Sequence, residues 1–248
     1  MKKTANDKVV IDIKNLRKSF GDQKVLDGIT LQLHKEENLV VLGKSGSGKS
    51  VLIKCIVNLL KHDSGSIKVG KHELTDINED DLIEVRKKIG FLFQSAALYD
   101  SMTVRENLAF ALSRLSKEFS KEETDQKIIE ALENVGLPDS IDKMPSELSG
   151  GMKKRIGLAR TLVVNPKIIL FDEPTTGLDP VTSREISDLI NETKAKFRNS
   201  SIIITHDIDC VKTVADRIAM IKEGKIYKQG SLEEFLNDED PYIKSFFK

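Results

Sequence analysis

The sequence predicts an α/β fold with a helical insert, on three observations. The segments LVVLG (39–43), KIILFDEP (167–174) and SIIITHD (201–207) hold short continuous apolar runs, the pattern of parallel strands covered on both faces. The first third of the chain also alternates apolar and polar residues between turns. The middle third repeats its apolar residues at helical spacing instead.

Taken in order, VVIDIKNL (9–16) and ITLQL (29–33) alternate and read as half-buried strands, and LVVLG follows as a buried one. The stretch from Val51 to Leu60, free of Gly and Pro, reads as a helix burying Val51, Ile53, Cys55, Ile56, Leu59 and Leu60. SGSIKVG (64–70) and IGFLFQ (89–94) are further strands. From Thr103 to about Lys117, the residues Val104, Leu108, Ala111, Leu112 and Leu115 recur on one helical face. A second helix opens at Ser120, with Glu123 completing a capping box, and carries Ile128, Ile129, Leu132 and Val135 on one side. Gly136 and Pro138 stop it. A third begins near Ser149 and passes through Ile156, Ala159, Leu162 and Val163 to Asn165-Pro166. A helix at about 183–196 then joins the two late buried strands, and RIAMIKEGKIYKQG (217–230) reads as a hairpin turning at Glu223-Gly224. The tail offers only Asp240-Pro241 and an aromatic pair, Phe246 and Phe247.

A chain of 248 residues closes a sizeable core in one or two domains. Its 39 Lys+Arg balance 39 Asp+Glu, so no bulk field holds nucleic acid or an anionic bilayer. The longest stretch without a charge, Ile89–Tyr99, has 11 residues, short of the roughly 18 of a membrane span. The start, MKKTANDKVVIDIKN, breaks its apolar run with Asp12 and Lys14 and makes a poor secretory signal. Two cysteines, Cys55 and Cys210, suit a reducing compartment and exclude a disulfide framework. A secreted, spanning or disordered chain is not expected. Chemistry has to come from motifs.

LVVLGKSGSGKSVLIKC contains Gly-x-x-x-x-Gly-Lys-Ser between an apolar strand and a helix. A chance match in a chain of this composition arises about 0.014 times. Such a loop points successive backbone N–H groups at phosphate oxygens, helped by the helix N-terminus. Gly43, Lys44, Ser45, Gly46, Ser47, Gly48, Lys49, Ser50 and Val51 are the candidate set. Lys49 is expected to reach the β- and γ-phosphates of ATP, and Ser50 to take a place on Mg²⁺.

KIILFDEP ends a buried strand in two carboxylates, which is costly unless something charged meets them. Asp172 is expected at Mg²⁺, and Glu173 beside a water that attacks the γ-phosphate. His206 and Gln94 close two other strands and so fall where ligands collect in open α/β sheets. His206 is expected to contact the γ-phosphate and orient Glu173. Gln94 is expected to bridge the metal and the helical insert.

LSGGMKKRIGLAR (148–160) opens a helix with Ser149-Gly150-Gly151, a second anion-binding helix N-terminus in one chain. One nucleotide needs one such loop, so Ser149 and Gly151 are expected to grip the γ-phosphate held by a second copy. The basic run Lys153–Arg155 is expected to be a solvated helix face.

Over essentially its whole length the sequence resembles the nucleotide-binding subunit of ABC transporters. The motif order carries the resemblance: Phe20, GKSGSGKS, Gln94, LSGGM, ILFDEP, GLD with Asp179, then His206. It implies a P-loop NTPase fold of the ABC ATPase kind, with an antiparallel β subdomain and a helical insert subdomain. One ABC ATPase domain would span 1–248, its RecA-like core and β subdomain at about 1–94 and 165–248 and its helical subdomain at about 95–164. It also implies Phe20 stacking on adenine, Asp179 in a loop crossing between two copies, and ATP hydrolysis with Mg²⁺ powering separate membrane permeases from the cytoplasmic face of the inner membrane. Two residues depart from the family pattern: Phe20 replaces the commoner Tyr, and Met152 replaces a Gln whose amide would lie near the partner's ribose.

FQSAALYDSMTVRENLAFAL (93–112) with SGGMKKR resembles the ATPase of MCE-type lipid-transport systems, implying an MCE-type lipid-binding protein as a further partner. A polar-solute importer, for amino acids for example, is the alternative within the class. ABC ATPases acting on DNA or ribosomes fit less well. Only 99 positions separate Ser50 from Ser149, with no heptads for a coiled coil, and the neutral charge leaves nucleic acid unexpected. Ala97, Leu98, Tyr99 and Met102 are expected to form the permease docking surface.

Overall fold

The computed structural model describes residues 8–115 and 119–247. The leader reading at the N-terminus rests partly on residues 1–7, and the end of the helix expected to reach Lys117 falls on 116–118. Both lie outside the described residues.

Two sheets form the frame. The first is antiparallel, with spatial order β2 (Gln23–His34), β1 (Val9–Phe20), β4 (Ser64–Val69) and β5 (His72–Glu73). The second has order β10 (Lys225–Gly230), β9 (Arg217–Lys222), β3 (Asn38–Leu42), β8 (Ser200–Thr205), β7 (Ile168–Asp172) and β6 (Ile89–Leu92), parallel except for β10. Its strands feed two cores by the alternation of a pleated strand. Leu39, Val41, Leu170, Ile202 and Ile204 pack toward the antiparallel sheet, while Val40, Leu42, Phe171 and Ile203 pack toward the helices. Burial on both faces explains why these strands are apolar without a break.

Between β6 and β7 lie the helices α3 (Val104–Ser113), α4 (Lys121–Glu133) and α5 (Gly150–Leu162), preceded in the chain by α1 (Lys49–Ile56) and α2 (Glu79–Lys87). The Ser120/Glu123 capping box is present at α4, and Thr103 with Glu106 makes another at α3. After β7 come α6 (Pro180–Phe197), α7 (Ile208–Val214), α8 (Leu232–Leu236) and α9 (Pro241–Phe247). Among the described residues no helix is long and apolar enough to cross a membrane.

Several local expectations are corrected. β1 and β2 run further than their alternation: a register shift at left-handed Asn15 (φ 49) and the positive φ of Gly28 (81) interrupt the pattern without ending the ladder. α1 stops at Ile56, and Asn58 at φ 53 turns the chain away, so Leu59 is 54% exposed and Leu52 is buried instead. Ile129 is 40% exposed, and Ala131 takes its place on the buried side of α4. β5, α2, α7, α8 and α9 have no counterpart in the sequence reading. α2 buries only Val85, too little for a periodic signal.

Candidate functional site

The loop between β3 and α1 is shaped by backbone demands that glycine alone meets. Gly48, the N-cap of α1, has φ 97, and a Cβ there would lie 2.7 Å from the Val25 carbonyl oxygen. A Cβ on Gly43 would lie 2.7 Å from both the Ile221 carbonyl oxygen and Ser47 Oγ. Lys49 folds back along this loop, its Nζ donating to the carbonyls of Gly43 (2.8 Å) and Lys44 (3.1 Å). Burial lowers the Lys49 pKa below the ordinary lysine value, against the pull of the Glu173 and Asp172 carboxylates.

Ser50 Oγ donates to Asp172 Oδ1 at 2.9 Å, joining the first turn of α1 to the end of β7. Glu173 follows in a left-handed conformation (φ 52), a strain of about 1–3 kcal/mol for a residue with a side chain. Its N–H is held by the Ile204 carbonyl at 2.9 Å. Its Oε2 meets His206 Nδ1 at 2.8 Å and accepts from Thr176 Oγ1 at 3.1 Å, while Oε1 lies 3.8 Å from Lys49 Nζ. Two carboxylates only 7% and 9% exposed are therefore met, as buried charges must be.

These groups surround one cleft of about 690 Å³. Lys44, Ser45, Gly46, Gly48, Lys49, Ser50 and Val51 line it together with Gln94, Glu173 and His206. Ser245 and Phe246 of α9 also line it, which the sequence reading did not anticipate from the aromatic pair of the tail. Tyr242 of the same helix lies 5.4 Å under Lys44 Nζ.

The chemistry of the cleft fits a phosphate chain with a hard cation. Ser47 Oγ is buried beside Gly43 without a hydrogen-bond partner. No group of three His, Cys, Asp or Glu arranged to hold a metal ion occurs among the described residues. The Ser50 hydroxyl with the Asp172 carboxylate matches Mg²⁺, which keeps water and phosphate as its other ligands.

A second group of expected residues lies outside the cleft lining. Ser149 caps α5, its Oγ accepting from the Met152 N–H at 3.3 Å, so its own O–H stays free to donate. Gly151 faces α6: a Cβ on it would lie 2.5 Å from Thr182 Cγ2, and one on Gly150 would lie 3.4 Å from Leu178 Cδ2. Asp179 caps α6, accepting from the Val181 and Thr182 N–H groups and from Thr182 Oγ1 (2.6 Å). The Thr182 hydroxyl, then the backbone, hold its pKa below the usual range. Phe20 ends β1 at the hairpin turn, with Lys18 Nζ 5.4 Å from its ring.

The expectation of a solvated Lys153–Arg155 face is corrected at Lys154, which is 6% exposed. Its Nζ donates to the carbonyls of Gln94 and Glu173. Nothing in a three-residue basic run marks which member points inward; only the packing of α5 on β6 decides it. Leu98 is likewise not open surface, since it packs on the helical core. Beside it a groove of about 510 Å³ is lined by Phe91, Phe93, Ala97, Tyr99 and Phe110, with Tyr99 45% exposed.

The sequence profile of the ABC transporter family matches residues 26–176. The chain is 39% identical to the probable ribonucleotide transport ATP-binding protein mkl of Mycobacterium leprae, over 96% of this chain and 68% of that protein. It is 36% identical to the methionine import ATP-binding protein MetN of Brucella abortus, over 100% of this chain and 67% of that one. Its fold superposes on the dimeric ATP-binding cassette MJ0796 in a post-hydrolysis state with ADP and Pi at a TM-score of 0.82, with 30% identity, covering 90% of this chain and 98% of the other.

Proposed function

The chain belongs to the ABC transporter family as the ATP-hydrolysing subunit of a transport system, and we propose that two copies close on two ATP molecules to drive separate membrane permeases. Ser149 and Gly151 of one copy grip the γ-phosphate that Lys49 and the loop hold in the other. The observation that carries this reading is the separation, in one chain, of two helix N-termini each opened by Ser and Gly residues. The loop at α1 lines the cleft with Glu173 and His206, while Ser149 caps α5 outside that lining, beside Gly150 and Gly151, which face Leu178 and Thr182.

Within the cleft, Glu173 is the general base. With Oε2 occupied by Thr176 and by His206 Nδ1–H, Oε1 is left to take the proton of the attacking water. His206, anchored at Nδ1 by Oε2, would turn Nε2 toward the γ-phosphate. Ser50, Asp172 and the Gln94 amide would hold Mg²⁺, which supplies neutralisation of charge developing on the phosphate oxygens. Phe20 stacks on the adenine ring, and Asp179 lies where two copies meet.

The cargo is a phospholipid or related lipid handled by an MCE-type system, on the strength of residues 93–112 and the SGGMKKR segment. A polar-solute importer is the second reading, favoured by the likeness to a protein named for methionine import. The apolar groove at Tyr99 and Phe110 suits a permease helix, and in this reading the subunit works at the cytoplasmic face of the inner membrane. The test of the dimer is the mass of Glu173→Gln with ATP and Mg²⁺ in light scattering: twice the subunit mass is expected, and a strict monomer, alone and with its permease, overturns the reading.

A further inference from the structure

We propose that Lys154 is a positioning residue for hydrolysis, its buried ammonium tying the backbones of Glu173 and Gln94 to helix α5. The proposal rests on the reading of Glu173 as the general base. A lysine is almost never fully buried unless paired, and Lys154 makes no ion pair among the described residues. Its donors go to two carbonyls instead, Gln94 O at 2.5 Å and Glu173 O at 3.2 Å. Asp172 and Glu173 attract the charge, while burial lowers the Lys154 pKa.

The Glu173 carbonyl also accepts from the Thr176 N–H at 3.3 Å within its own turn, so Lys154 is the donor that ties it to a separate element. The Glu173 N–H is held by Ile204 on β8, and the residue sits at a φ of 52 that the chain would relax if released. With both backbone ends pinned, the carboxylate stays within reach of His206 and Thr176.

The same helix seizes the loop after β6 twice more. Gly157 lets it approach, since a Cβ there would lie 2.9 Å from Leu92 Cδ1 and 3.0 Å from Ala96 Cβ. Arg160 then donates to the carbonyls of Ala97 (2.7 Å) and Ala96 (3.0 Å), both left-handed residues at φ 49 and 60. Helix α5 thus begins at Ser149 and, five residues on, holds the Gln94 and Glu173 loops of its own chain. A displacement of its N-terminus by a partner's phosphate is passed directly to the base.

Lys154→Met keeps the length and the apolar stem but removes the donors. Its kcat should fall about 30-fold with KM for ATP within about threefold, and Lys154→Gln, which keeps N–H donors, should recover about half of the loss on a logarithmic scale. Mant-ATP affinity and the melting temperature of each variant separate folding from positioning. The decisive measurement is single-turnover hydrolysis in the Glu173→Gln background: if Lys154 acts through Glu173, adding Lys154→Met slows that variant by no more than about twofold. Wild-type kcat in Lys154→Met, or losses that multiply in the double variant, overturns the proposal. If Lys154→Met does not fold, Lys154→Gln alone decides: wild-type kcat, or a loss that multiplies with Glu173→Gln, has the same consequence. Normal turnover of Glu173→Gln itself would instead remove the base reading on which the proposal stands.

Discussion

His206 Nδ1 lies 2.8 Å from Glu173 Oε2, and the same oxygen accepts the hydroxyl of Thr176. A left-handed backbone and two donors therefore fix one carboxylate oxygen and leave the other facing Lys49 across the cleft. Removing the charge and basicity of Glu173 while keeping its shape should spare nucleotide binding. Glu173→Gln is expected to bind ATP with affinity near that of the parent and to turn over at least about 100-fold more slowly. His206→Ala should lose less, because Thr176 still holds Oε2. Phosphate release at saturating ATP checks both, and unimpaired release by Glu173→Gln would remove the base from this position.

Gly151 and Thr182 set a second, purely steric test. A methyl at Gly151 would meet Thr182 Cγ2 at 2.5 Å, an overlap whose relief costs about 1–3 kcal/mol. The free end of α5 would give way, and with it Ser149. Gly151→Ala should therefore keep mant-ATP binding in the cleft but lose more than about 10-fold in turnover. Adding Thr182→Ser removes Cγ2 and keeps the hydroxyl to Asp179, so it should restore most of the rate. No rescue by the second change would mean that Gly151 matters for some reason other than this contact.

Much of this site was legible in the sequence because its residues are fixed by local chemistry. The phosphate loop needs glycines at set spacing, and ILFDEP sets two carboxylates at the end of a strand that both cores bury. What was hidden depends on neighbours distant in sequence. Lys154 reads as one of three exposed cations until β6 and β7 are packed beneath it. Phe246 reads as a tail aromatic until α9 folds back to the phosphate loop. The alternation of β1 fails at Asn15 because a register shift changes which face the chain presents, not because the strand ends.

The two cysteines should be chemically silent in the folded chain. Burial pushes the Cys210 thiol up to about 12 and the Cys55 thiol up to about 11, so neither forms the nucleophilic thiolate near pH 8. Iodoacetamide should label neither until denaturant is added, and then both. The sign for stability follows from a raised folded-state pKa. The full contribution holds below the unfolded value of 9.0 and is lost as pH climbs toward about 12. The parent should then lose about 1.4 kcal/mol per pH unit relative to Cys210→Ala across that window. Melting curves of the two proteins that stay parallel from pH 8 to 11 would contradict it.

The groove at Tyr99 separates coupling from catalysis. Tyr99 packs edge-on against Phe110 at 5.1 Å and remains 45% exposed, whereas Leu98 beside it is packed on the helical core. A charge at Leu98 would damage folding, but a charge at Tyr99 falls on a surface that only a partner would cover. Tyr99→Asp should leave hydrolysis by the isolated subunit within about twofold of the parent, since Gln94 and Lys154 are untouched. In the assembled transporter it should abolish the stimulation of hydrolysis by the permease and the movement of cargo together. Reconstitution in vesicles reads both quantities in one sample. Transport that survives Tyr99→Asp would place the permease contact elsewhere on the helical insert, and loss of ATP binding would show that the groove supports the cleft rather than a partner.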